Sequence, residues 1–157
     1  MLRRMRRADP VNDLATVRLL FREYAQSLGF SLDFQGFEDE LRALPGEYAE
    51  PGGVILLADS PAGDPWGIVA LRPLEDDGVC EMKRMYVRPE ARGTGLGRLL
   101  GEAIVAEGRE RGYRAMRLDT LDTMKAALTL YRSLGFREIA AYRYNPLPNV
   151  VYLERAL

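Results

Sequence analysis

Apolar positions along this chain follow two periods. Leu14, Val17, Phe21, Tyr24 and Leu28 recur at helical spacing. Ahead of them Asp9-Pro10 offers an N-cap and a first-turn proline, and Gly29 offers a stop. A second helical stripe, Leu96, Leu99, Leu100, Ala103 and Ile104, lies within about 95–111 and stops near Gly112. A third, Met124, Ala127, Leu128, Tyr131 and Leu134, covers about 123–134 and ends at Gly135. Residues 37–44 predict a shorter helix, and Pro45 to Gly53 a loop. Between them run short β-type segments: Val54–Asp59 and Trp66–Pro73, joined as a hairpin by Ser60-Pro61-Ala62-Gly63-Asp64-Pro65, then Val79–Arg88, Arg114–Thr120 and Val150–Glu154. With the N-terminal Met1–Arg7 as a first strand, the order is β-α-α-β-β-β-α-β-α-β. That alternation predicts an α/β fold with a mixed sheet and helices on both faces.

A chain of 157 residues makes one domain, 1–157, long enough to bury a core. Its 47% hydrophobic and 29% charged content is that of a globular protein. A formal net charge of −1 gives no drive towards nucleic acid, and no apolar run is long enough to span a bilayer. The single cysteine, Cys80, permits no internal disulfide and fits a reducing cytoplasm. There is no histidine, which removes Ser-His-Asp and Cys-His nucleophile systems and leaves no expectation of a zinc site or other metal. Acid–base chemistry must then use Glu, Asp, Tyr, Lys, Cys, the main chain or water.

The turn Arg92-Gly93-Thr94-Gly95-Leu96-Gly97 follows a predicted strand and opens directly into a helix. Glycines at alternate positions allow a sharp bend and close backbone approach, and the helix start adds unpaired N–H donors and a positive dipole end. The combination suits a phosphate or pyrophosphate, with Arg92 and Arg98 flanking it. A tight strand-to-helix connection would use the same glycines. The spacing is not that of the dinucleotide fingerprint, because the third glycine comes two residues after the second, and no Gly-Lys-Ser/Thr follows as in a nucleotide P-loop.

Met85-Tyr86-Val87-Arg88-Pro89 leading into Arg92–Gly97 resembles the acyl-CoA signature Arg/Gln-x-x-Gly-x-Gly/Ala of the GCN5-related N-acetyltransferase (GNAT) superfamily. Ala127 through Tyr131 to Gly135-Phe136 resembles that family's helix-end pattern Ala-x-x-x-Tyr-x-x-x-Gly-Phe. The resemblance implies a mostly antiparallel sheet of six to seven strands and acetyl-CoA as co-substrate. Main-chain N–H groups of Arg92, Gly93, Thr94, Gly95, Leu96 and Gly97 would hold the pyrophosphate, with Arg98 beside it. The pantetheine would lie along Met85, Tyr86 and Val87 like an added strand, and a backbone N–H near Met85 would polarise the thioester carbonyl. It further implies that this strand splays from the one at 114–120 to open the cleft.

By the same resemblance Tyr131 is the acid that protonates the leaving thiolate; its alternative is an ordinary member of the apolar stripe. Glu81, eleven positions before Arg92, is the candidate base for the acceptor amine; its alternative is a strand carboxylate paired with Lys83 or Arg84. Many relatives carry an asparagine where this chain has Met124. Tyr24, Tyr142, Tyr144 and Asn145 are candidate acceptor-binding residues, and the acidic group Asp33, Glu38, Asp39 and Glu40 could attract a cationic amine or simply form a solvated face. Cys80 is expected as a buried apolar residue and Trp66 as packing. The reading is an N-acetyltransferase acting on a primary amine of a small molecule by direct attack in a ternary complex. A protein or peptide acceptor, or an acyl-CoA-binding regulator without turnover, are the alternatives. A homodimer is compatible with the sequence, and the oligomeric state stays open.

Overall fold

An apolar run without polar alternation is stable as a strand only when both faces are covered, and Val54–Asp59 (β2) is buried along its whole length. The computed structural model describes residues 4–29, 31–32 and 36–157; Asp33 lies outside them. It places β2 inside a seven-stranded sheet of order β1-β2-β3-β4-β5-β7-β6. The other strands are β1 (Arg4–Arg7), β3 (Pro65–Pro73), β4 (Val79–Val87), β5 (Ala115–Leu121), β6 (Arg137–Ile139) and β7 (Val150–Ala156). All neighbours run antiparallel except β4 and β5, which are parallel.

Four α-helices cover the sheet: α1 (Leu14–Ser27), α2 (Phe37–Ala43), α3 (Leu96–Glu110) and α4 (Lys125–Ser133). Strand alternation sorts the core into two layers. Val54, Leu56 and Ala58 join Leu96, Leu100, Ile104, Leu128 and Leu134 from α3 and the α4 segment. Ile55 and Leu57 join Val17, Leu20 and Phe21 of α1 and Phe37 and Leu41 of α2. The expected mixed, mostly antiparallel sheet with helices on both faces is therefore the observed one. No helix among the described residues is long and apolar enough to cross a membrane.

Three local expectations differ from the structure. Helix α1 starts at Leu14 with Asp13 as N-cap, because the Asp9 carboxylate accepts from the N–H groups of Val11 and Asn12 at 2.8 Å and closes a separate turn. Leu99 is 44% exposed, so the buried stripe of α3 runs through Leu96, Leu100, Ile104 and Val105. Strand β6 was not predicted: it has three residues, is mostly exposed, and pairs only with the outer edge of β7.

Strand β4 carries the irregularity that shapes the site. Lys83 faces Ala70 and Tyr86 faces Ile68, so Arg84 and Met85 together oppose Val69. Arg84 takes φ of 60°, a left-handed conformation uncommon outside glycine. This bulge flips side-chain parity, as a one-residue slip must. Before it Cys80 and Met82 enter the α3/α4 layer; after it Tyr86 enters the α1/α2 layer, with Met85 and Val87 packed on the α3/α4 side. The parallel pairing with β5 ends at Glu81 opposite Arg117. Beyond that register the two strands part.

Candidate active site

The parting of β4 and β5 opens a cleft of about 610 Å³, part of it open to solvent. Met82, Lys83, Arg84 and Met85 line one side and Leu118, Asp119, Thr120 and Leu121 the other. Tyr24 of α1, Met124, Tyr131 of α4, Asn145 and Leu147 complete the wall. The edge of β4 that faces β5 has no paired strand past Glu81 among the described residues, so Met85, Tyr86 and Val87 present a backbone edge suited to an extended ligand.

At one end of this edge the chain turns into α3. Gly93 and Gly95 adopt φ of 73° and 82°, and a Cβ at either would meet open space. The N–H groups of Gly93, Gly95, Leu96, Gly97 and Arg98 have no acceptor among the described residues, while Leu99 is the first to bond back, to the Gly95 carbonyl at 3.1 Å. Thr94 Oγ1 donates to the Ala91 carbonyl at 2.6 Å and braces the bend. A row of donors without acceptors at the positive end of a 15-residue helix suits an anion. The flanking arginines are exposed and lightly held. Arg92 Nε donates to the Val87 carbonyl at 3.0 Å, with its guanidinium over the Tyr86 ring. Arg98 donates to Ser133 Oγ at 2.8 Å and pairs with Glu102.

Tyr131 projects from α4 into the cleft and packs edge-on against Phe136, ring centroids 6.2 Å apart. No described residue hydrogen-bonds its hydroxyl. Burial, with lesser contributions from Tyr24 and Asp119, raises its pKa above the ordinary phenol value, so the group holds its proton at neutral pH. Met124 sits where the asparagine of many relatives would be, its sulfur accepting from Thr120 Oγ1 at 3.5 Å.

Glu81 is not on the cleft wall. Its side chain is fully buried, and both carboxylate oxygens are engaged: Oε1 accepts from Arg72 Nε at 2.9 Å, and Oε2 accepts from the Tyr142 hydroxyl at 2.5 Å and from Arg143. Burial alone would raise its pKa, but Lys83, Arg143 and Arg72 outweigh that and hold it below the ordinary carboxylate value. A base needs a free oxygen facing substrate. This geometry makes Glu81 a poor one and instead the hub that orders Arg72, Arg143 and Tyr142.

The other candidates separate. Tyr24 and Asn145 line the cleft, Asn145 Nδ2 donating to Asp119 Oδ2 at 3.3 Å. Tyr142 and Tyr144 line a neighbouring polar cavity instead, and Tyr144 is 84% exposed. Glu38, Asp39 and Glu40 pair with Arg22, Arg42 and Arg84. Cys80 is buried with its thiol pushed up to about 12, chiefly by burial, which leaves no thiolate for nucleophilic attack. The sequence pattern missed Asp119, a carboxylate on the cleft wall without an ion pair among the described residues. Its alternation with buried Leu118 on a short strand is the only sign it left.

The sequence model of the acetyltransferase (GNAT) domain matches residues 51–138. An uncharacterized N-acetyltransferase of Schizosaccharomyces pombe is 45% identical over 90% of this chain and 86% of its own length. The human N-acetylaspartate synthetase is 35% identical over 66% of this chain, which spans 34% of that longer protein. Among solved structures, an acetyltransferase of the GNAT family from Staphylococcus aureus superposes with a TM-score of 0.78 over 99% of both chains at 20% identity, a likeness of fold. Turn, splayed strands and cleft tyrosine thus sit in a chain that belongs to the GNAT N-acetyltransferase family, and the protein is an acyltransferase enzyme.

Proposed function

We propose that the protein transfers an acetyl group from acetyl-CoA to a primary amine of a small molecule, by direct attack within a ternary complex. The observation that carries this reading is the continuity of three features: the donor-rich turn at 93–98, the unpaired backbone edge of β4, and the Tyr131 hydroxyl in the same cleft. Acetyl-CoA supplies the acetyl group as a thioester; a C–N bond forms as the C–S bond breaks, and CoA leaves as a thiol.

The residues divide the work. The turn N–H groups and Arg98, with Arg92 released from the Val87 carbonyl, hold the pyrophosphate, and Met85 to Val87 align the extended arm. Binding energy at that remote end is then available to orient the reacting centre. A main-chain N–H near Met85, at the bulge, steadies charge developing on the carbonyl oxygen. Tyr131 gives its proton to the departing sulfur. Asp119, on the opposite wall, attracts the acceptor ammonium and takes the proton it must lose, directly or through water. Glu81 acts as a positioning group. Names among the relatives support a small acceptor, since N-acetylaspartate is a small molecule. So does the wall formed by Leu28, Leu32 and Leu147 around the cleft.

Calorimetry with CoA and thiol release with a panel of amines test the reading. Tight CoA binding together with thiol release that requires both acetyl-CoA and an amine, with intersecting initial-velocity lines, is the expected result. Binding of CoA with no amine-dependent release sinks it. Substituting Gly95 by Val gives a sharper check. A β-branched residue at φ of 82° costs roughly 1–2 kcal/mol in the left-handed region, yet its Cβ meets nothing within 4 Å. The turn should relax away from its donor-presenting shape, and CoA affinity should fall by about ten-fold or more with the melting temperature lowered by only a few degrees.

A further inference from the structure

Strand alternation puts Arg117 and Asp119 of β5 on one face with Tyr152 and Glu154 of β7, Asp119 directly opposite Tyr152. The segment 142–147, between β6 and β7, is fastened over that face at several points. The Tyr152 hydroxyl donates to the Arg143 carbonyl at 2.9 Å. The Tyr142 ring stands edge-on to Tyr152, centroids 5.3 Å apart, with the Arg117 guanidinium 5.4 Å from its own centroid. Buried Glu81 accepts from the Tyr142 hydroxyl and from Arg143. Pro146 and Pro148 restrict the backbone on either side of Leu147. Within this fastened stretch Asn145 is half-buried, and both ends of its amide are engaged. Oδ1 accepts from the Leu147 N–H at 3.0 Å, a bond only the oxygen can accept. Nδ2 is thereby turned to Asp119 Oδ2, 3.3 Å away. That length is at the outer end of the hydrogen-bond range, as is common before substrate tightens a site.

We propose that Asn145 is a positioning residue for the transfer reaction: its amide aims the Asp119 carboxylate at the acceptor amine, and the fastened segment around it fixes the amide. This rests on the role given to Asp119 above and adds the group that sets its orientation. A carboxylate at a cleft wall is free to rotate, whereas a group that receives a proton must present one oxygen in one direction. With Oδ2 held by Asn145, Oδ1 is the oxygen left for the ammonium.

Other titratable groups face Asp119 too. Lys83 on β4 and Arg143 in the segment bring positive charge, and Tyr24 on α1, Tyr131 on α4, Tyr142 and Tyr152 bring phenols. Arg84, also on the cleft wall, pairs with Glu40. Burial raises all four phenols, and lowers Lys83 only to about 8. Despite burial, Glu81 is held below the ordinary carboxylate value by Lys83, Arg143 and Arg72. Between about pH 5 and 7 all of these keep their charge state, so a change there that follows substitution of Asn145 reports on Asp119.

The experiment separates the two ends of one amide. Asn145→Asp keeps an oxygen for the Leu147 N–H but sets a second carboxylate where Asp119 had a donor; Asn145→Ala removes both bonds. Each is assayed by thiol release from acetyl-CoA with the amine that the unsubstituted protein uses fastest, between about pH 5 and 9. Calorimetry gives CoA affinity and thermal melts give stability. Both variants are expected to fold and to keep CoA affinity, and both should lose about ten-fold in kcat/KM for the amine at pH 7. In the Asp variant the acid limb of that profile should also move up by about one pH unit or more, since two adjacent carboxylates resist joint ionisation; in the Ala variant it should move less. An Asp variant with the rate and profile of the unsubstituted protein, beside an impaired Ala variant, would assign Asn145 to its turn alone and end the proposal. An Asp119→Asn variant of full activity would remove the role of Asp119 and the positioning with it. Bound CoA with no thiol release for any amine overturns the acetyltransferase reading itself.

Discussion

Replacing Tyr131 by Phe is expected to lower kcat by about 100-fold or more, the scale on which a positioned general acid acts, while leaving CoA affinity and melting temperature nearly unchanged. The ring would keep its edge contact with Phe136 at 6.2 Å and its place in the α3/α4 core. Only the hydroxyl goes, and no described residue depends on it. The pH dependence follows with a definite sign. Because burial raises the phenol's pKa, Tyr131 stays protonated through the neutral and mildly alkaline range. The loss of rate that marks its deprotonation should therefore appear only above the usual phenol value of about 10, and should vanish from the profile of the Phe variant. Stopped-flow thiol release across pH measures both. A Phe variant with unchanged kcat at every pH would remove Tyr131 from the chemistry.

Substituting Glu81 by Gln should be the most destabilising single change near the site. The carboxylate neutralises Arg72 and Arg143 and accepts from Tyr142 with no exposure of its own. Removing the charge leaves Arg143 without an ion pair among the described residues and Arg72 with Glu47 alone, beside the buried Lys83. Breaking one side of a buried pair typically costs about 3–5 kcal/mol, which for a domain of this size lowers the melting temperature by roughly 10 °C or more. The acid dependence separates this role from that of a base. The folded-state pKa of Glu81 lies below its ordinary value of 4.5, so the unfolded chain binds the extra proton. The stabilisation is whole above about pH 4.5 and is lost as pH falls through the folded-state value. The gap in stability between the two proteins should thus narrow on acidification, as thermal melts between pH 3 and 7 would reveal. Loss of activity at neutral pH should track the unfolded fraction, with the pH–rate profile of the folded remainder unmoved. A stable Gln variant with an altered alkaline limb would restore Glu81 as the base.

Two neighbours on one strand show where inference from local pattern stops. Glu81 and Lys83 read as polar positions of a half-exposed strand, since alternation with Cys80 and Met82 is the ordinary signature of one wet face. Both are buried instead. Glu81 is covered by Arg72 on β3 and by Tyr142 and Arg143, the last two 61 and 62 residues away along the chain. Nothing within a strand's own period records such distant partners. The parity flip at Arg84 has the same origin, because a bulge is defined by its register against β3.

What the sequence determined by itself is what short-range physics controls. Helical stripes, the short β-type run of β2, the glycine bend and its unpaired donors, and the tyrosine near the end of α4 all follow from periodicity, φ preference and hydrogen-bond inventory within a few residues. The tertiary structure decided which charges line the cleft. The splaying of β4 from β5 gave Asp119 and Lys83 to the cleft and enclosed Glu81 among arginines, since the free energy of a buried charge depends on partners gathered from across the sheet and not on its place in the chain.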